Sequence, residues 1–155
     1  MVLSGIKTVL ISCVIVSWCA LLSGCATAPI QEMSDARQSL RAAQDAGAHK
    51  YASTNLRNAE LALERAEKKL EDRAFKEARI NAVTAKTEAM DAQEIALAIG
   101  AAKDAVTNAA KNGHASPEAE ALLEQAEQAA SQGDKQGALS LANEAKVKAA
   151  QSSDL

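Results

Sequence analysis

Hydrophobic and polar positions along this chain follow two different patterns. From Val9 to Leu22 the side chains are apolar apart from serine and cysteine, and no charge interrupts the run. After Pro29 the apolar positions recur every three or four residues between glutamate, glutamine, lysine and arginine, which is the period of one face of an α-helix. Alternating runs of β-branched residues, which indicate strands, are absent from the sequence. The chain therefore divides into an apolar leader and a helical region.

The helical region is predicted to hold about five helices, separated by breakers and turns. Ser116 and Pro117 suit the N-cap and the first turn of the fourth helix, because proline lacks the N–H that this turn leaves unpaired. The predicted helices cover roughly residues 31–46, 54–70, 75–111, 117–131 and 135–151. The expected fold is all-α, with two alanine-rich antiparallel hairpins that form either a bundle or a short solenoid.

The third predicted helix carries the most regular ladder of the sequence, with alternating steps of three and four residues. Such a period of 3.5 is typical of a coiled-coil seam, and alanine lets a neighbouring helix approach closely. We expect these positions to form a packing seam: Phe75, Ala78, Ala82, Ala85, Ala89, Ala92, Ala96 and Ile99.

A second stripe of larger side chains flanks this ladder, at Ile80, Val83, Met90 and Leu97. One interpretation is that these residues complete the core of the bundle. The other is that the helices separate around a small apolar molecule, which the stripe would contact.

An internal repeat relates residues 59–86 to residues 119–146 at an offset of 60. Ala-Glu, Leu-Glu and Ala-Glu pairs recur in the first helix of each copy, and alanines recur in the second helix. We interpret the repeat as two helix-turn-helix units, each with a preceding helix. The preceding helix of the second unit is fused to the last helix of the first.

The turn of the first copy resembles the middle of a tetratricopeptide motif. Phe75 and Ala78 stand at the aromatic and small positions of that motif, while Arg73 stands where glycine is usual. The second copy keeps Gly133 and Ala138. The resemblance implies a helical hairpin.

The leader ends in Leu22, Ser23, Gly24 and Cys25, which resembles the lipobox of bacterial lipoproteins. The resemblance implies that residues 1–24 are a cleaved signal peptide and that Cys25 carries a diacylglycerol and an N-acyl chain such as palmitate. Ala26 is not the aspartate that retains lipoproteins in the inner membrane, which implies the periplasmic face of the outer membrane. The alternative is an ordinary secretory signal, for which residues 26–28 would supply the small side chains.

After the lipobox, the stretch Met33-Ser34-Asp35-Ala36-Arg37 and an Ala-Glu-rich hairpin follow. Together these features resemble the alanine-rich helical lipoproteins called domain of unknown function 4398. The expected organisation is a lipidated tether at 25–31, a helical domain at 32–151 and a frayed tail at 152–155. The tether spans at most about 20 Å, so the domain is expected near the membrane surface.

Composition narrows the functional classes. Lys7 is the only charged residue before Cys25, so removal of the leader changes the formal net charge from −3 to −4. The sequence has no basic face of the kind that binds nucleic acid. His49 and His114 could share a metal ion, but no third metal ligand stands at a suitable spacing. The acidic residues alternate with lysine and arginine, which is the pattern of a solvated helix surface. We therefore expect no metal site, no cofactor beyond the lipid on Cys25 and no enzyme activity.

The sequence favours a structural or protein-interaction module at the outer membrane, held by its lipid anchor and facing the periplasm. The expected partners are another envelope protein, a second copy of the chain, or non-covalently held peptidoglycan. The alternative is a periplasmic carrier of a small ligand or lipid.

Overall fold

The computed structural model describes residues 27–153. The predicted signal peptide, the lipobox and Cys25 lie outside the described residues. Within 27–153 the chain forms six α-helices and no strand, and the helices pack against each other as a bundle. The prediction of an all-α fold is confirmed. In chain order the helices are α1 (Ile30–Asp45), α2 (Ala48–Tyr51), α3 (Ser53–Glu71), α4 (Phe75–Lys111), α5 (Pro117–Ser131) and α6 (Lys135–Ser153).

Side-chain hydrogen bonds mark where α5 and α6 begin. The Ser116 hydroxyl accepts from the Ala119 N–H at 3.3 Å, and Pro117 fills the first turn of α5. The Asp134 carboxylate accepts from the Gly137 N–H at 3.0 Å and satisfies a free donor at the start of α6. Helix α1 begins after the buried Pro29, inside the segment that the sequence predicts as tether.

The two hairpin turns have the same hydrogen bonds at the offset of 60 residues. In the first, the N–H groups of Arg73 and Ala74 donate to the carbonyls of Leu70 and Lys69 at 3.0 and 2.9 Å. In the second, Gly133 and Asp134 donate to Ala130 and Ala129, both at 3.0 Å. Both turns therefore end a helix with a left-handed residue, in the pattern of a Schellman motif.

Helix α2 is a single turn that the sequence analysis did not predict. Gly47, with a φ of 81°, reverses the chain after α1, and Ala48 and Ala52 are then fully buried. Four residues are too few to show a helical period, which is why this segment reads as a loop.

Helix α4 belongs to two three-helix units. Its first half packs with α1 and α3, and its second half packs with α5 and α6. At 37 residues it is about 55 Å long at 1.5 Å per residue, and successive long helices alternate in direction. The main buried cluster contains residues from all six helices, so the two units share one core.

Most side chains of this core are alanine. The largest fully buried residues of the described part are Met33, Ile95, Ile99 and Pro29. Asn55 is the one buried polar side chain between 27 and 153, and its Nδ2 donates to Glu88 Oε2 at 3.3 Å. Because alanine removes little apolar surface from water, helix propensity and close packing carry much of the stability.

Candidate interaction surface

The predicted ladder lies on the inner face of α4. Each member from Ala78 to Ile99 is at most 1% exposed. Phe75, the first residue of α4, is only half-buried. Alanine at the inner positions leaves room for α1 and α3 along the first half of α4 and for α6 along the second.

The flanking stripe lies on the opposite, outer face of α4. Ile80, Val83, Met90 and Leu97 are between 49% and 57% exposed. The interpretation that they complete the core is therefore wrong: the buried large residues of α4 are Ile95, Ile99 and Val106, and these four are about half-exposed. We call these four side chains the outer stripe.

The outer stripe follows the same 3.5-residue period as the inner ladder. Thr87, Glu94 and Ala101 fill its intermediate positions and are exposed as well. From Ile80 to Ala101 the steps are three, four, three, four, three and four residues. An exposed face with this period is the geometry by which one helix pairs with another in a coiled coil.

One edge of the outer stripe is joined to α1 by two ion pairs. Arg79 Nε lies 2.6 Å from Glu32 Oε1, and Lys86 Nζ lies 2.9 Å from Asp35 Oδ2. Hydrogen bonds from Lys86 and Gln31 lower the pKa of Asp35 below its ordinary value. The pKa of Glu32 is also lowered, first by a hydrogen bond from its own backbone and then by Arg79.

The other edge is joined to α6 by Lys135. Its Nζ lies 2.7 Å from both Asp91 Oδ1 and Glu94 Oε2. Hydrogen bonds to these carboxylates raise the pKa of Lys135 above its ordinary value. The ion pairs thus occupy the charged groups beside the stripe in contacts within the bundle.

The first described residues lie beside the start of α4. The carbonyl oxygen of Thr27 accepts from Arg79 Nη2 at 3.3 Å. Ile30, the first residue of α1, is 75% exposed at the same end.

A polar cleft of about 150 Å³ lies where the two units meet. Lys50 Nζ and Lys103 Nζ lie 4.9 and 5.7 Å from the centre of the Tyr51 ring, and Lys103 also lies 3.4 Å from Glu127. Ser53 and Ser131 complete the lining. Sequence reasoning missed this cleft because it depends on α2, although a lone tyrosine in a short connection was the signal available.

The structure also places the two histidines that were considered as metal ligands. His49 lies exposed in α2, and His114 lies exposed in the loop after α4. Between residues 27 and 153, no group of three or more His, Cys, Asp or Glu side chains is arranged to hold a metal ion. None of the helices in this range has the length and apolar character needed to span a membrane.

Within residues 27–153, the fold and the outer stripe define a small alanine-rich helical module with an exposed apolar face on α4. The chain belongs to the family described as Domain of unknown function (DUF4398), whose profile matches residues 31–109. The match runs from the start of α1 almost to the end of α4, and the hairpin of α5 and α6 lies beyond it. No curated protein and no solved structure matches the chain.

Proposed function

We propose that this protein is a lipid-anchored outer-membrane lipoprotein that faces the periplasm and acts as a structural or protein-interaction module of the cell envelope. The observation that carries the interaction role is the outer stripe of α4. Its four large apolar side chains stay half-exposed on one line about 26 Å long, from Ile80 to Leu97. A line of exposed large apolar side chains along one helix face is typical of a surface that packs against another helix.

The lipobox sequence supports the anchor, and the contact between Thr27 and Arg79 supports its position. An anchor on Cys25 would hold the molecule at the end where α1 and α4 begin. The outer stripe starts at Ile80, one residue after Arg79, and therefore begins close to the membrane. Partners within reach are envelope proteins, peptidoglycan and other copies of the chain.

The carrier alternative receives less support from the geometry. The stripe that motivated it lies on the outside of the bundle, and none of its four residues lines the cleft at the junction of the two units. That cleft is lined by lysine, serine, tyrosine and glutamate, so it does not suit an apolar ligand.

The anchor is tested by mass spectrometry of the N-terminal peptide and by fractionation of cells that carry the wild type or Cys25→Ser. The proposal expects an N-terminal acylated Cys25 and an outer-membrane location that Cys25→Ser abolishes. A chain that stays soluble with residues 1–24 intact would overturn the anchor.

The interaction role is tested with a photo-cross-linking amino acid at Leu97 in intact cells. The matched control places the same amino acid at Glu77, which is exposed on α4 outside the stripe. Discrete adducts from position 97 but not from position 77 support the role. Equal and diffuse labelling from both positions would contradict it.

A further inference from the structure

We propose that the outer stripe of α4 is the contact surface of a homodimer in which α4 of a second copy runs antiparallel. This inference rests on the proposed interaction role and names the partner. It depends on the charges at the two ends of the stripe and on the pairing of large with small residues along it.

The ends of the stripe carry opposite charges. Lys76 extends the 3.5-residue period one step before Ile80, and Asp104 extends it one step after Ala101, and both are exposed. A parallel pair would place Lys76 against Lys76 and Asp104 against Asp104. An antiparallel pair places each lysine against the aspartate of the other copy. Charge therefore favours the antiparallel orientation.

Residue sizes along the stripe agree with a twofold axis at Met90, which lies midway between Lys76 and Asp104. About this axis Val83 of one copy meets Leu97 of the other, and Met90 meets itself. Ile80 lies level with Gly100 and beside the small Ala101, and Thr87 lies level with Gln93 and beside Glu94, which is already paired with Lys135 in its own copy. In this register no large apolar side chain of the stripe faces a charge. Because the axis is twofold, both copies contribute the same residues to the interface.

The interface is small, which predicts a weak dimer. The face of α4 that would pair, from Lys76 through the outer stripe to Asp104, is about 42 Å long, and with a helix width of about 10 Å it covers roughly 400 Å² per copy. Stable dimers bury about 800 Å² per partner. Pairing therefore depends on the high local concentration that anchoring to a membrane provides.

The orientation has a consequence for the anchors. Because Thr27 lies beside Arg79, the two anchored ends of an antiparallel dimer lie at opposite ends of the shared surface. The dimer would lie along the membrane with an anchor at each end, and not stand upright on both anchors.

The experiment uses the full-length protein in intact cells and single cysteines on the stripe, oxidised with copper-phenanthroline. Differently tagged Val83→Cys and Leu97→Cys chains are co-expressed, and Met90→Cys and Glu77→Cys are expressed alone. The proposal expects a mixed Val83→Cys and Leu97→Cys disulfide and a Met90→Cys homodimer. It expects no Val83→Cys homodimer, since those positions lie about 21 Å apart along the axis and a disulfide needs Cα atoms within about 7 Å. Glu77→Cys is the control for random collision.

Two substitutions of Met90 test whether a lost disulfide reflects lost pairing or lost folding. Met90→Lys should reduce the mixed disulfide at least tenfold, because it places two like charges on the axis, while Met90→Leu should retain it. Met90 is exposed, so neither change disturbs the core. Circular dichroism of both purified proteins should match the wild type.

Three outcomes overturn the proposal. Homodimers of Val83→Cys and of Leu97→Cys without the mixed species would show parallel pairing. Stripe adducts to a different protein, without any between copies, would overturn the homodimer but leave the proposed interaction role standing. Absence of every disulfide between copies, together with absence of photo-cross-linked adducts from position 97, would remove both.

Discussion

At the scale of single residues, the backbone of the first hairpin turn carries strain that the second turn lacks. Arg73 has a φ of 57° and is the one residue other than glycine with a positive φ in the described range. Gly133 takes the same place in the second turn with a φ of 78°. A side chain in this left-handed region costs about 1–2 kcal/mol, which glycine avoids.

Arg73→Gly should therefore raise the free energy of unfolding by roughly 0.5–1 kcal/mol in urea. The relief of strain exceeds the extra chain entropy that glycine loses on folding. Gly133→Arg is the reciprocal control and should lower the stability. A less stable Arg73→Gly protein would contradict the described turn.

The ion pair between Asp35 and Lys86 should make stability depend on pH in the acid range. The pKa of Asp35 is lower in the folded chain than its ordinary value of 3.8. Its contribution is therefore fully present above the unfolded pKa and is lost as the pH falls through the lower folded pKa. Asp35→Asn should be less stable than the wild type at neutral pH, and the difference should vanish below that folded pKa.

The control for this prediction is Lys86→Met. In that background Asp35→Asn should have a smaller effect, which urea unfolding of the four proteins of the cycle would measure. An effect that is independent of both pH and Lys86 would show that the pair does not contribute.

At the scale of helices, α4 has two faces with one period and different sizes of side chain. Ala85 is 1% exposed on the inner face, and Ala110 is exposed near the end of the same helix. Ala85→Leu should lower the free energy of unfolding by about 1–3 kcal/mol through overpacking, while Ala110→Leu should change it by less than about 0.5 kcal/mol. Thermal unfolding of both variants tests the prediction. Equal effects would mean that the alanine face is not closely packed.

The five longer helices could be predicted from the sequence because their apolar positions recur at a helical period and glycine or proline stands at most of the turns, whereas α2 is too short to show such a period. The inner ladder was visible because alanine recurs at every step from Ala78 to Ala96. Which large residues lie inside could not be predicted: a second ladder with the same period runs through Ile80 and Val83, and hydrophobicity alone would bury it. The close approach of the neighbouring helices determines which face of α4 is buried, because the alanine face leaves room for those helices and the face with Ile80 and Val83 does not.

At the scale of the whole molecule, the two three-helix units should unfold in one transition. Helix α4 passes through both, the main core cluster joins them, and the Thr54 hydroxyl donates to the Ser131 carbonyl at 2.8 Å across the junction. Tyr51, the single tyrosine of the chain, lies at this junction. Its fluorescence and the helical circular dichroism should therefore give the same urea midpoint. Separate midpoints would show that the units fold independently.

The repeat at an offset of 60 predicts the two hairpins, but the sequence does not reveal how they join. The junction depends on α2 and on contacts such as Thr54 with Ser131, which lie 77 positions apart. The outer stripe likewise becomes a candidate site only when the packing of α1, α3 and α6 has been assigned to the other face of α4.

If a partner covers the outer stripe in the cell, a cysteine placed on the stripe should be shielded from a small maleimide. Met90→Cys is compared with Glu77→Cys in intact cells and again in detergent at high dilution. We expect position 90 to react several-fold more slowly than position 77 in cells, and the difference to disappear on dilution. Equal rates at the two positions in intact cells would show that the stripe is free, and that neither a second copy nor another partner covers it.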